Sequence, residues 1–331
     1  MRISSQKNWA TRVSSSYMTD RTHESVLLHE AVDALEIDGT DIVVDATLGG
    51  AGHFALLLEK LEEGGILVGI DADEDAITRA KDAAGETSVR LVLANDNFRN
   101  LGAILDANGL DTIDSALFDL GWSAFQLERG RGFSFRTDEP LLMTYGDPET
   151  ADTTARDMVN TLEEETLADL IYTLGEEHFS RGIAKAIVAA RKAAAIETTF
   201  DLVRAIEAGV PGWYTHRKLH PATKTFQALR IAVNDEFGAL REGLEAALSR
   251  LAEGGRVAVI TFHSIEDRIV KGALREAASE GRGVVVTKKP IVPSADELKK
   301  NPRARSAKLR VFERSSVSPS FISTFNSTLY A

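Results

Sequence analysis

The sequence predicts a doubly wound α/β fold, a Rossmann-like parallel sheet flanked by helices, and three observations carry that reading. Strand-like segments alternate with helix-period segments four times before residue 121. A glycine-rich turn, Gly49-Gly50-Ala51-Gly52, joins the first strand to its helix. Polar residues then stand where the next three strands end: Asp71, the run Asn95-Asp96-Asn97, and Asp119. Ligands of such sheets lie beyond the carboxyl ends of the strands, so these residues converge on one site.

Each element has its own warrant. Residues 23–35 carry Val26, Leu27, Ala31, Val32 and Leu35 at helical spacing, predicting a short helix under the first strand. Ile42, Val43 and Val44 are a β-branched run. Gly49, Gly50 and Gly52 let the backbone turn sharply and approach a ligand. Their spacing is not the Gly-x-Gly-x-x-Gly of dinucleotide folds, and a tight connection is the plain alternative. The helix over 52–61 offers free N-terminal amides. A second strand, 66–70, leads to Asp71, an acid placed to hold ribose hydroxyls. Residues 74–84 form a helix with acids in its first turn, and 89–93 a third strand. Asn95 to Phe98 either contact a purine or form a helix cap with a core phenylalanine. A helix over 101–107 and a strand over 113–120 follow, the latter ending near Asp119.

Residues 121–146 then break the alternation. Trp122, Phe125, Phe133, Phe135 and Tyr145 stand among Arg129, Arg131 and Arg136, which predicts an ordered loop able to stack a base or grip a phosphate. A loop anchored by its own aromatics is the alternative. From 153 to about 208 the chain is alanine-rich with leucines and isoleucines at three- and four-residue spacing, an inserted helical subdomain ended by Gly209, Pro211 and Gly212. Residues 226–251 repeat that spacing as one long helix ending at Gly254 and Gly255. A fifth strand follows over 256–262, then His263, with Ser264 and Asp267 spaced as a capping box. Segments 284–287 and 308–312 are two closing strands. The resulting division is a tail over 1–22, a sheet-forming body over 23–140 and 221–314, an insertion over 141–220 and a tail over 315–331.

Composition narrows the classes. The chain has 331 residues, 44% of them hydrophobic, enough for a full core. It has no cysteine, so disulfides and thiolate metal sites are excluded, and a reducing cytoplasm is compatible. No apolar run approaches the roughly 20 residues that span a bilayer. Residues 1–22 are polar and serine-rich without the apolar centre of a signal peptide, so a disordered tail is expected, and Met18 is an alternative start. The net charge of −12 argues on its face against a nucleic-acid partner. Its distribution argues the other way: residues 282–314 hold ten basic side chains against three acidic, and His216, Arg217, Lys218, His220 and Lys224 form a second basic group. A solvated face is the plain reading of either cluster.

Several stretches together resemble one family, the ribosomal small-subunit RNA cytosine-N4 methyltransferases of the RsmH (MraW) type. They are HESVLLHEA, DATLGGAGH, GIDADEDAI, LFDLGWSAFQLERGRGFSF, HPATKTFQALRIAVNDEF, ITFHSIEDRIVK and NPRARSAKLR, in order from His23 to Arg310. The resemblance implies a class I methyltransferase fold with a helical insertion, S-adenosyl-L-methionine as cofactor and no metal. It implies that Ala51, Gly52 and His53 line the methionine end of the cofactor, that Asp71 takes the ribose, that Phe98 lies near the adenine, and that Asp119 and Gln126 complete the site. The sequence departs from the family where Leu142 and Thr144 replace an acid and an arginine, and where Ala124 and Phe125 replace a serine and a proline.

The implied reaction is methylation of the exocyclic N4 amine of one cytidine in the decoding region of small-subunit ribosomal RNA. Its substrate is that RNA or the assembled subunit, in the cytoplasm, with a homodimer as one arrangement the sequence allows. Asp119 is the expected catalytic partner of the amine, with His263 as the alternative, although a lone histidine after a strand is more often structural. Trp122 or Phe125 would stack on the flipped base. Arg131, Arg217, Lys218, Lys224, Arg303 and Arg305 would meet RNA. Two rival readings are a nicotinamide dehydrogenase, which the glycine spacing disfavours, and a non-catalytic RNA-binding ribosome assembly factor.

Overall fold

The computed structural model describes residues 25–120, 130–146, 148–149 and 151–316. The tail over 1–22 and the residues Trp122, Ala124, Phe125, Gln126 and Arg129 lie outside them, as does all of the C-terminal tail but Ser315 and Ser316.

The sheet-forming body follows the predicted alternation. Its first half runs α1 (Leu28–Asp33), β1 (Ile42–Asp45), α2 (Gly52–Lys60), β2 (Ile66–Asp71), α3 (Glu74–Ala84), β3 (Arg90–Asn95), α4 (Leu101–Ala107) and β4 (Ile113–Asp119). The insertion supplies α5 (Ala155–Thr161), α6 (Glu164–Gly175), α7 (Ser180–Ala193) and α8 (Thr199–Ala208). Then come α9 (Ala222–Val233), α10 (Glu236–Arg250), β5 (Leu251–Thr261), α11 (Ser264–Ser279), β6 (Gly283–Val285), α12 (Ala295–Lys300) and β7 (Lys308–Arg314).

The seven strands are ordered β3-β2-β1-β4-β5-β7-β6. The first five are parallel, and β7 pairs antiparallel with both β5 and β6. Strand order reverses between β1 and β4, the point where a doubly wound sheet opens a crevice for ligand. Both faces are covered. Val43, Leu67 and Leu117 join one core cluster with α1, α2 and α3, while Val44, Val68, Ala116 and Phe118 join a second with α4, α10 and α11. Neighbouring residues point to opposite faces, so a strand buried on both sides reads as an unbroken apolar run.

A third cluster holds the insertion together and reaches from Phe133 to Leu229, so α9 packs with α5 to α8. This accounts for a departure from the sequence reading. The long helix expected over 226–251 is two helices, broken at Asn234 and Asp235, and Asp235 takes a left-handed φ of 43°. The apolar spacing continues through the break, but Phe226 and Leu229 face the insertion while Leu240, Leu244 and Leu248 face the sheet. Asn234 occupies the corner: its amide donates to the Met143 carbonyl at 2.8 Å and accepts from the Tyr145 N–H at 2.9 Å.

Candidate active site

The glycine turn is held by the acid after the next strand. Asp71 accepts the Gly49 N–H on Oδ2 and the Asp73 N–H on Oδ1, both at 2.9 Å. Each carboxylate oxygen keeps a further lone pair, so the group remains an acceptor for a diol. Arg79 closes the turn from behind, its Nε donating to the Gly49 carbonyl at 3.0 Å. Ala51 caps α2 in a left-handed conformation, φ 63°. Gly52 lies against the N-terminal segment: a Cβ there would fall 2.2 Å from Ser25 Oγ, which would have to turn aside.

Three acids meet around this turn. Asp45, fully buried at the end of β1, accepts the Thr47 N–H, and burial with Asp119 and Asp71 nearby pushes its carboxyl well above the usual range. Burial also raises Asp71, against the two N–H bonds it accepts. Asp119 ends β4, its own N–H donating to Thr47 Oγ1 at 2.7 Å, and its Oδ2 lies 3.5 Å from Nδ1 of the buried His53. Asn95 donates to the Asp71 carbonyl at 3.0 Å. Beyond β2 and β3 a cleft of about 470 Å³ is lined by Ala72, Asp73, Glu74, Asp75, Asn95, Arg131, Tyr145 and Gly146. That volume lies within the ~300–1,000 Å³ usual for small-molecule sites.

The other predicted site residues are placed as follows. Phe98 packs edge-on to Phe118 at 5.7 Å and against Gly243, with Asn97 capping a 3₁₀ turn over Phe98–Asn100. The segment thus forms a cap, with Phe98 half-buried against the core. Arg131 donates to the carbonyls of Thr144, Tyr145 and Gly146, stapling the loop where it lines the cleft. Phe133 stacks on Tyr145 and Phe135 on His220, so these rings anchor the loop itself. Lys224 donates to the Glu176 carbonyl at 2.6 Å. Arg217, Lys218, Arg303 and Arg305 are exposed.

His263 caps α11. Its Nδ1 accepts the Glu266 N–H, and Glu266 returns the bond to the His263 N–H, so the capping box is His263–Glu266 rather than Ser264–Asp267. Asp267 instead holds Lys308 and Arg310 of β7, and their hydrogen bonds keep its carboxyl low despite burial. The cap pattern admits histidine only in the folded structure, where the ring turns back onto the helix. Beside it lies a network that sequence reasoning missed. Glu236 takes a two-pronged bond from buried Arg230, at 2.7 and 2.9 Å, and a third from the Tyr145 hydroxyl at 2.8 Å. Glu236, His263 and Glu266 bring ligand-type atoms within 4.8 Å of one another. With Arg230 already neutralising Glu236, and Glu266 accepting two backbone N–H groups, the set serves as a hydrogen-bond network. Its signal, NDEF after a helix and a tyrosine about 90 residues earlier, has no local pattern.

The strand order, the glycine turn at the switch point and the acid after β2 define a class I methyltransferase. Comparison with known proteins extends this. Residues 20–315 match the MraW methylase family. The chain is 49% identical over 296 residues to the ribosomal RNA small subunit methyltransferase H of Deinococcus radiodurans, covering 88% of this chain and 90% of that one. It is 41% identical over 314 residues to the protein of that name from Lachnospira eligens, covering 90% and 99%. Among solved structures, an rRNA methylase from Streptococcus thermophilus is 15% identical with a TM-score of 0.40, covering 90% of this chain and 99% of that one. The chain belongs to the MraW methylase family. As a member it is an S-adenosylmethionine-dependent methyltransferase of ribosomal RNA.

The residues present fit that cofactor. Its sulfonium and ammonium are cations, and three carboxylates crowd the turn, one of them buried at the expense of its own charge.

Proposed function

We propose that the methyl group is placed on the exocyclic N4 amine of one cytidine in the decoding region of the small-subunit ribosomal RNA, free or in the assembled subunit, in the cytoplasm. The observation that carries this reading is Asp119: a carboxylate at the end of β4, beside the glycine turn and 3.5 Å from His53. The cytosine amine is a weak nucleophile because its lone pair is delocalised into the ring, and it carries two N–H donors. A carboxylate that accepts one of them, with the Leu120 carbonyl accepting the other, holds the nitrogen in line and favours its pyramidal form. His53, buried behind Asp119, orients that carboxylate.

S-adenosylmethionine supplies a methyl already activated on a sulfonium. In this reading Ala51, Gly52 and His53 line its methionine end, Asp71 accepts from the ribose hydroxyls, Phe98 borders the adenine and Gln126 closes the site. Trp122 or Phe125, both outside the described residues, would stack on the flipped base. His263, which caps α11, is the alternative polar partner of the amine. Arg217, Lys218, Arg303 and Arg305 meet phosphates, with Arg131 and Lys224 shaping the loops beneath. The test is labelled methyl transfer to purified, unmethylated small subunits, followed by mapping of the modified nucleotide. Asp119→Asn should slow single-turnover transfer by about a hundredfold or more at saturating cofactor. An unchanged rate would remove Asp119 from this role, and label on a ring carbon or a ribose would refute the N4 assignment.

A further inference from the structure

Trp213 is 61% exposed, the most exposed large apolar side chain among the described residues, and Leu219 six positions on is 52% exposed. Both lie between α8 and α9. An indole held in water presents a broad apolar π-face that a partner can cover. This one is fixed. Its ring stands nearly perpendicular to Phe179, at 5.8 Å and 72°, and to Tyr214, at 5.6 Å and 84°, so neither neighbour stacks over it. Tyr214 is buried, and its hydroxyl donates at 2.7 Å to Oε2 of the fully buried Glu177, whose Oε1 accepts the Phe179 N–H at 2.9 Å.

The surroundings select the partner's charge. His216, Arg217 and Lys218 follow on the same segment and are exposed. The Arg217 guanidinium lies over the Tyr214 ring at 5.2 Å, and neither Arg217 nor Lys218 has an acidic partner among the described residues. In a protein of net charge −12, an exposed aromatic beside an unneutralised basic run complements a polyanion that has π-faces.

The platform is also tied to the reaction site. Glu176, next to Glu177, sits in a left-handed turn at the end of α6. Its carboxylate accepts from Ser264 Oγ at 2.7 Å and from Arg268 at 2.6 Å, both in the first turns of α11, whose cap His263 follows the carboxyl end of β5. One dipeptide thus grips the rim of the catalytic sheet with Glu176 and the aromatic platform with Glu177.

We propose that Trp213 is a stacking platform for an unpaired base of the RNA substrate, with Arg217 and Lys218 neutralising the flanking phosphates and the Glu176–Glu177 turn fixing its distance from the methyl-transfer site. This rests on the reading of RNA as the substrate. Stacking makes an apolar contribution and phosphate contact an ionic one, so they separate in a salt titration. The experiment measures binding of a protein-free small-subunit rRNA fragment by Trp213→Ala, Trp213→Phe and Arg217→Ala across ionic strengths, with thermal midpoints alongside. Trp213→Ala should weaken binding roughly tenfold to a hundredfold with the salt slope and thermal midpoint unchanged. Trp213→Phe should keep most of the affinity, and Arg217→Ala should make the slope shallower by about 0.7–0.9. Unchanged RNA affinity in Trp213→Ala, alongside wild-type methyl transfer, would overturn the platform and leave the functional reading standing. So would a loss seen only with assembled subunits, which assigns the indole to a protein, or a loss accompanied by a change of oligomeric state, which assigns it to a second copy. A wild type that transfers no methyl, with Trp213→Ala still weakening RNA binding, would sink the functional reading and keep the platform.

Discussion

Asp45 shows how a single buried acid is tuned by its neighbours. Burial and the nearby carboxylates of Asp119 and Asp71 raise its folded-state pKa above the value in the unfolded chain. Such a group contributes stability that is fully present below the unfolded pKa and is lost as pH rises through the folded pKa. At neutral pH the cofactor-free protein therefore carries a cost that a neutral amide would not. Asp45→Asn, which keeps an acceptor for the Thr47 N–H, should raise the thermal midpoint of the cofactor-free protein at pH 7. The gap to the wild type should shrink as pH falls towards 4. A variant less stable than wild type at pH 7, in thermal scans across that range, would show the carboxylate to be favourable in place. Asp71 and Asp119 were visible in the sequence because each follows a strand. The strain on Asp45 was not, since it comes first from burial under the fold and then from two acids 26 and 74 residues away.

At the scale of elements, the joint between α9 and α10 couples the insertion to the catalytic body. Glu236 opens α10, pairs with Arg230 near the end of α9 and receives the Tyr145 hydroxyl from the loop that enters the insertion. Arg230 and Glu236 are both largely removed from water, with side-chain exposures of 10% and 14%. Removing one partner leaves a buried charge uncompensated, which costs more than the pair itself contributes. Glu236→Ala should lower stability by about 3–5 kcal/mol, and Tyr145→Phe by only about 1 kcal/mol, in urea unfolding. Equal effects of the two variants would show that the ion pair is not what secures the joint. Periodicity predicted one helix here because apolar spacing ran on across Asn234 and Asp235, and spacing records which residues are buried but not against what.

For the whole molecule, the relevant electrostatic quantity is where the charge lies. A chain of net −12 reaches RNA only through local basic surfaces, and exposed ones among the described residues include residues 216–218 on the insertion and the 3₁₀ turn Pro302–Ser306 before β7. The second sits on the side of the sheet where β5 ends, since Lys308 pairs with Thr261. Charge reversal of Arg303 and Arg305 to glutamate should weaken RNA binding and flatten its salt dependence, each lost phosphate contact removing about 0.7–0.9 from the log–log slope. Affinity and slope unchanged in filter binding would exclude this turn from the interface.

The sequence by itself determined the alternation of strands and helices through β4, the glycine turn and the acids after the strands. All of these are local patterns, written in periods of 2 and 3.6 and in residues that a turn or strand end requires. Tertiary structure alone decided what those residues meet. It packed Phe98 against Phe118 and Gly243, turned Lys224 onto the Glu176 carbonyl and left Trp213 in solvent beside a basic run. Each outcome depends on contacts between segments far apart in the chain, and such contacts leave no periodic trace in either segment.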